Sequence, residues 1–364
     1  MKQDEKASTI DFMLENGFEN RIFTAAQASL RQGAKHRMDS AAGIAFEGPV
    51  DADTLFDIAS LTKIFTASAC LRLVARGRLD LDVPLAALLP RPTPYAGATL
   101  SQLLAHEAGF PAWLPLFESV AMETRGTEAA RRQILATVLE TPPICAPGER
   151  CCYSDLGYLA LLSILEGVTG DPIQRIIDKE VCRPLGLVRT RFFPPSPPEG
   201  TPNIAPTEKC PRRARRLVGE VHDDNAWAMG GASSHAGLFS TASEVVALGD
   251  AWRRALDSGE WLPAKIASSA VQRRPGGRGL GWDLKSPEAS SAGEKFGSRS
   301  FGHLGFTGCS LWVDPDRGLT AVLLTNRVFF GRDNLGIRSF RPRFHDAAAE
   351  WSEAVGRNAP PPQF

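Results

Sequence analysis

The chain has 364 residues, with 41 Lys and Arg against 41 Asp and Glu, so its formal net charge is zero. At 43% hydrophobic and 23% charged it can bury a large core, which excludes a disordered chain. Balanced charge gives no long-range pull toward nucleic acid or an anionic membrane, and the length fits two lobes or one large fold with an insertion.

Residues 1–17 read as a polar leader helix, too broken by acids to be a signal-peptide core. The stretch 22–30 reads as a strand and 33–42 as a turn-rich connection. Residues 60–75 place Ile64, Phe65, Cys70, Leu71, Leu73 and Val74 at helical spacing and stop at Gly77, which predicts a buried helix. Pro84, Pro90, Pro92 and Pro94 break the next stretch, and further helices are expected over 100–105, 129–140 and 156–168.

Residues 193–216 read as a long surface loop. Its basic run 209–216 lacks interleaved aromatics, so it reads as a solvated face and not a nucleic-acid site. Strands are expected at 237–240, 279–284, 310–314 and 319–325, then a closing helix over 344–355 and a Pro-rich tail over 356–364. Helices in the middle and strands late, with no repeat, predict an α+β protein whose antiparallel sheet is completed late in sequence. The expected division is a sheet lobe of 18–57 and 218–355 with a mainly helical lobe, 58–217, inserted.

No run of about 18 uncharged apolar residues occurs, so no membrane span is expected. The seven cysteines are scattered, and Cys145, Cys151 and Cys152 form no CxxC pair. They read as reduced thiols of a cytoplasmic protein, without a disulfide framework or a zinc site.

The sharpest chemical signal is Ser60-Leu61-Thr62-Lys63 at the start of the buried helix. Three residues apart, the hydroxyl and the amine share a helix face. Burial and the helix dipole lower a lysine's pKa, so a neutral Lys63 could take the serine's proton while the Ser60 amide polarises a carbonyl. Tyr153-Ser154-Asp155 and His303-Leu304-Gly305-Phe306 come later, in that order.

With these three elements, and with flanking stretches 103–109, 237–241 and 323–327, the chain resembles the serine β-lactamase and penicillin-binding-protein-like superfamily, in its class C and esterase branch. That resemblance covers about residues 18–355. It implies a β-lactamase/transpeptidase-like fold and an acyl-Ser60 intermediate, with Lys63 and Tyr153 sharing the proton transfers. The amides of Ser60 and Phe306 would form the oxyanion hole, Gly305 would sit between, and His303 would stand where the lactamases place a lysine. No cofactor and no metal are implied.

Two positions depart from the family pattern. Asp155 replaces an asparagine, so an amide donor becomes an acceptor that favours a charged Lys63. Leu304 removes a hydroxyl that helps to hold a lactam carboxylate. A small neutral ester is therefore the expected substrate. The alternatives are a β-lactamase, a D-amino-acid carboxypeptidase or aminopeptidase-type amide hydrolase, and a catalytically silent binding protein.

Arg327 and Trp227 are expected at the cleft, Trp227 as a wall beside the Gly230-Gly231 turn. Trp113, Trp282 and Trp312 are expected in the core. His222, Asp223, Asp224 and His235 are ligand types without metal spacing and read as rim or loop hydrogen bonding. His106 reads as a helix anchor, and His36 and His345 as surface residues.

Overall fold

Six strands form one antiparallel sheet: β1 (Ala25–Gln32), β2 (His36–Gly43), β3 (Asp283–Leu284), β4 (Phe301–Leu304), β5 (Ser310–Asp314) and β6 (Leu319–Thr325). Their order is β2-β1-β6-β5-β4-β3, so the first strand pairs with the last, from Ala26 opposite Thr325 to Gln32 opposite Leu319. The computed structural model describes residues 2–194 and 203–357.

β6 reads Leu-Thr-Ala-Val-Leu-Leu-Thr and is buried at every position, as a central strand covered on both faces must be. One face is covered by two helices from opposite ends of the chain, α1 (Lys2–Glu19) and the closing helix Ile337–Arg357. Ile10 and Leu14 pack there with Phe23, Trp312, Phe340 and Phe344 in a separate core cluster. The other face is covered by the helix Ala242–Ser258, whose Val245, Val246 and Trp252 join the main core.

Between β2 and β3 in sequence the chain is mainly helical. Its helices α2 (Thr62–Ala75), α3 (Glu128–Glu140) and α4 (Asp155–Thr169) bury Phe65, Leu71, Ile134, Leu159 and Leu162 in the same continuous cluster as Leu311 and Val322 of the sheet. α4 starts where the Ser154 Oγ accepts from the Gly157 N–H and ends at Gly170 in the left-handed region. Among the described residues no helix is long and apolar enough to cross a membrane. The seven cysteines are free.

Several expectations need correction. Residues 2–17 of the expected leader are helical but form no appendage, since Ile10 and Leu14 are fully buried. The connection 33–42 holds β2, an edge strand whose partly exposed, polar His-Arg-Met-Asp-Ser run hides its period from a search for apolar residues. The basic stretch 209–216 forms a small hairpin, Lys209–Cys210 with Arg215–Arg216, and it is not merely solvated. Arg213 is buried between Glu220 (3.1 Å) and Asp224 (2.9 Å). His345 is buried, its Nε2 3.0 Å from the Ser310 Oγ, because the closing helix begins at Ile337 and turns that face inward. Trp282 and Trp312 are core residues, whereas Trp113 is exposed. The tail beyond 357 lies outside the described residues, as do 195–202 of the expected loop.

Candidate active site

Ser60 lies on a single turn of 3-10 helix, Ala59–Leu61, that leads into α2. Ala59 is held at φ +47, a region that costs a non-glycine residue energy, so its neighbours must over-determine it. The buried Asp57 is one of them. Its carboxylate accepts from the Ala59 N–H (2.8 Å) and the His222 N–H (2.7 Å), and its carbonyl accepts from the Thr307 Oγ1 (2.7 Å). Burial pushes the Asp57 carboxyl above the usual carboxylate range, against those two N–H donors.

Lys63 is fully buried. Its Nζ lies 3.2 Å from the Ser60 Oγ, 3.0 Å from the His235 carbonyl and 2.6 Å from the Asp155 Oδ1. Burial alone lowers a lysine's pKa, but here Asp155 and Tyr153 together outweigh it and raise the ammonium's pKa above the usual value. The expectation of a desolvated, neutral Lys63 is therefore corrected for the resting site: Lys63 is an ammonium because Asp155 replaces a neutral amide. Burial also raises the Tyr153 phenol, against the opposing pull of Lys63, whose Nζ lies 5.0 Å from the centre of the phenol ring.

His303 projects from β4, opposite Leu311 of β5. Its Nδ1 lies 2.8 Å from the Leu304 carbonyl, which only accepts, so Nδ1 carries the proton and Nε2 a lone pair. That buried Nε2 has no hydrogen-bond partner among the described residues. Burial holds the ring down at about 4, with Arg278 and Lys63 acting in the same direction and Asp283 opposing. In place of the lactamase lysine stands a neutral imidazole.

Gly305 continues from β4 so close to the Ala59–Leu61 turn that a Cβ there would lie 2.6 Å from the Ile58 carbonyl oxygen. Only glycine permits that approach. It sets Phe306 on the same cavity as Ser60, and three carbonyls of this loop are gripped by two buried arginines. Arg341 Nη2 donates to Gly305 O (2.7 Å) and Cys309 O (2.9 Å), and Arg327 Nε donates to Phe306 O (2.8 Å).

A cavity of about 390 Å³ joins Ser60, Tyr153, His303, Gly305, Phe306 and Arg327. Trp227 is not among its lining residues. The short helix Asp224–Ala228 instead turns that ring toward Arg213, whose guanidinium carbon lies 4.5 Å from the ring centre. Asp155 stands behind Lys63 as its counter-ion. Asp155, Asp223 and His235 would suit a metal ion by residue type, their ligand atoms lying within 4.8 Å of one another. The Lys63 ammonium meets this group as its cation, 2.6 Å from Asp155, and against burial the Asp223 carboxyl is held below the usual carboxylate range by His235 first and by Lys63 as well.

Residues 16–339 match the family Beta-lactamase. The chain belongs to the β-lactamase family. It is 30% identical over 327 residues to a putative D-alanyl-D-alanine carboxypeptidase of Escherichia coli K12, a match that spans 81% of this chain and 74% of that protein. The crystal structure of SurE with D-Leu superimposes with a TM-score of 0.71 at 25% identity, over 94% of this chain and 76% of that one. The D-amino acid amidase of Ochrobactrum anthropi SV3 shares the fold at a TM-score of 0.72 and 22% identity, over 97% and 99% of the two chains. So does EstCE1, a hydrolase with promiscuous acyltransferase activity, at 0.72 and 20%, over 94% and 99%. The fold is the β-lactamase/transpeptidase fold, and the protein is a serine hydrolase of the β-lactamase family.

Within this β-lactamase-family site, sequence reasoning missed Asp57 and most of the cationic wall. Arg278, Arg332, Arg338 and Arg341 line the cavity with Arg327, and Asp283 is the acid among its lining residues. The spacing of Arg338 and Arg341, one helical turn apart, was the available signal.

Asp155 gives a direct test of the charge assignment. In Asp155→Asn the carboxylate that raises Lys63 is gone, burial then dominates, and the amine is freed at lower pH. The acid limb of the kcat/KM profile should move by about one pH unit or more, because the base is then the Lys63 amine and no longer the Lys63–Asp155 pair. Turnover of a chromogenic cephalosporin should also rise relative to a p-nitrophenyl ester, because an amide donor is restored. An unmoved acid limb would contradict the assignment.

Proposed function

We propose that the protein hydrolyses small carboxylic esters that carry a negative charge, through an acyl-Ser60 intermediate. The observation that carries the charge is the arginine wall. Arg327 and Arg341 are buried with only carbonyls as hydrogen-bond acceptors, and both are lowered by burial, Arg341 to about 10, so both remain cations at neutral pH. Arg338 is exposed at the same cavity with no acidic partner among the described residues, and it further lowers Arg327. Arg278 and Arg332 are paired, with Asp283 and Glu208. Three uncompensated guanidinium groups repel one another and leave room for an anion. At about 4 Å and an effective dielectric of 20, one such contact is worth about 4 kcal/mol before desolvation. The neutral substrate expected from zero net charge gives way to this local field.

In the proposed chemistry the Ser60 proton passes to Lys63 as Lys63 gives one to Asp155. The Oγ attacks the carbonyl, and the oxyanion lies between the Ser60 and Phe306 amides. The Tyr153 phenol, protonated at rest, supplies the leaving group's proton. Water releases the acyl group, its proton returning to the vacated Tyr153, while Asp155 gives its proton back through Lys63 to the departing Ser60 Oγ.

The same pair of protonated donors, Lys63 and Tyr153, favours a second reading, cleavage of an amide to a free amine in a substrate ending in a carboxylate. Esterase assays and amine release from D-alanyl dipeptides separate the two. Arg338→Ala should lower kcat/KM about tenfold for the p-nitrophenyl monoester of glutaric acid and leave p-nitrophenyl acetate within about twofold. An equal effect on both esters, or a wild-type preference for the uncharged one, would overturn the anionic-substrate reading.

A further inference from the structure

His106 lies outside the residues assigned to the chemistry, yet it is bound to the backbone on both sides of Tyr153. The Cys152 N–H donates to its carbonyl (2.9 Å), and the Ser154 N–H donates to its Nδ1 (3.0 Å). Its ring lies between two tyrosines, 4.6 Å from the Tyr153 ring and 5.1 Å from that of Tyr158. It takes this position from a left-handed backbone, φ +61 at a non-glycine residue, just after the short helix Leu100–Leu104. A strained backbone at a buried histidine (5% exposed) is held only where its surroundings over-determine it.

We propose that His106 is a positioning residue that aims the Tyr153 hydroxyl at Ser60 and Lys63, with the Nδ1 lone pair holding the Ser154 N–H and the ring face backing the phenol. The inference rests on the reading of Tyr153 as a proton-transfer group. Its physical logic is that Tyr153 precedes α4 on an extended segment, where nothing regular fixes its backbone. Ser154 is tied to Pro111 O (2.6 Å) and the Asp155 N–H to Ala112 O (2.9 Å), but both bonds lie after the tyrosine. His106 holds the residues before and after it. Arg278 lies across the phenol ring, its guanidinium carbon 4.8 Å from the centre, so the tyrosine is gripped from more than one side.

The proton location is fixed by the same bond. Nδ1 accepts, so the ring is the neutral Nε2–H tautomer. Burial keeps it so, with Arg278, Lys63 and His303 all opposing a positive charge there. Protonation would place a hydrogen on Nδ1 facing the Ser154 N–H, and both backbone and phenol would have to move. An offset of about 1 Å in a catalytic group costs on the order of a hundredfold in rate.

The test is a double-mutant cycle between His106→Asn and Tyr153→Phe, read with p-nitrophenyl butyrate. Asparagine tolerates the left-handed backbone, and its Oδ1 stands where Nδ1 stood, so it keeps the acceptor for Ser154 and loses only the ring against the phenol. His106→Asn should lower kcat about tenfold or more with KM within about twofold, and should have less than a twofold effect when Tyr153 is already phenylalanine. The chain has three tyrosines, so 3-fluorotyrosine labelling gives a spectrum in which the Tyr153 resonance is identified by its loss in Tyr153→Phe. That resonance should shift in His106→Asn. If Tyr153→Phe is impaired but the two effects multiply, or the Tyr153 resonance does not move, His106 does not act through Tyr153 and the inference fails alone. If Tyr153→Phe keeps full activity, the reading of Tyr153 fails and takes the inference with it.

Discussion

Replacing Ser60 with alanine should lower kcat for a p-nitrophenyl ester by at least about 10⁴-fold and abolish labelling by a fluorophosphonate probe. The size of the effect comes from the arrangement around the hydroxyl. Lys63 lies 3.2 Å from that oxygen, Tyr153 lines the same cavity, and no other serine among the described residues does so. A triad-like set loses its function together when its nucleophile is removed, since the remaining groups have nothing to act on. Residual turnover of a reactive ester is expected from the oxyanion amides alone. The fold should tolerate the change, because the turn at Ala59 is held by Asp57 and not by the Ser60 side chain. Thermal midpoints of the two proteins should therefore agree within about 2 °C. A mutant that still labels at the wild-type rate would place the nucleophile elsewhere.

The second large effect is acid lability. His303 and His345 are buried and held down at about 4 and about 3 by burial, and His106 is lowered in the same direction. A histidine whose folded pKa lies below its ordinary 6.5 binds fewer protons folded than unfolded. It therefore destabilises the fold as pH falls below about 6.5, down to its folded pKa. Each such group costs about 1.4 kcal/mol per pH unit over that window, so three cost about 6 kcal/mol between pH 6.5 and pH 5. The buried Asp57, raised in the fold, works the other way but is one group against three. For a chain of 364 residues this is a fall in thermal midpoint of about 8 °C between pH 7.5 and pH 5. His345→Gln, which keeps a polar partner for Ser310, should flatten that slope by about a third. Calorimetric midpoints that do not change with pH would refute the account.

The fold class and the core of the site were legible because few residues had to be recognised, and their order along the chain carried the information. Ser60, Lys63, Tyr153 and His303 stand in short patterns whose chemistry is local to a helix start or a strand end. β2 was lost because an edge strand with one face toward solvent needs no apolar alternation. The buried state of His345 and Arg213 was lost for a related reason. A polar residue's burial is set by the partner that satisfies it, and Ser310, Glu220 and Asp224 become partners only through the tertiary fold. The charge state of Lys63 could be argued both ways from the chain alone. The 2.6 Å approach of Asp155 decides it. The arginine wall comes from three separate segments, around residues 278, 327 and 338, and overall neutrality concealed it.

The pairing of β1 with β6 also sets when activity can arise during synthesis. Gln27 lies opposite Leu324, so every segment between them must leave the ribosome before the central pair of the sheet can form. Ser60 on its helix and His303 on its strand belong to segments made far apart in time, and the closing helix supplies Arg338 and Arg341 last of all. Contacts of such long sequence separation make folding slow and leave early segments waiting with unpaired edges. A nascent chain that carries Ser60 is thus without its cleft: the Gly305–Phe306 loop and the arginines of the wall arrive only with the strands and helix that complete the sheet.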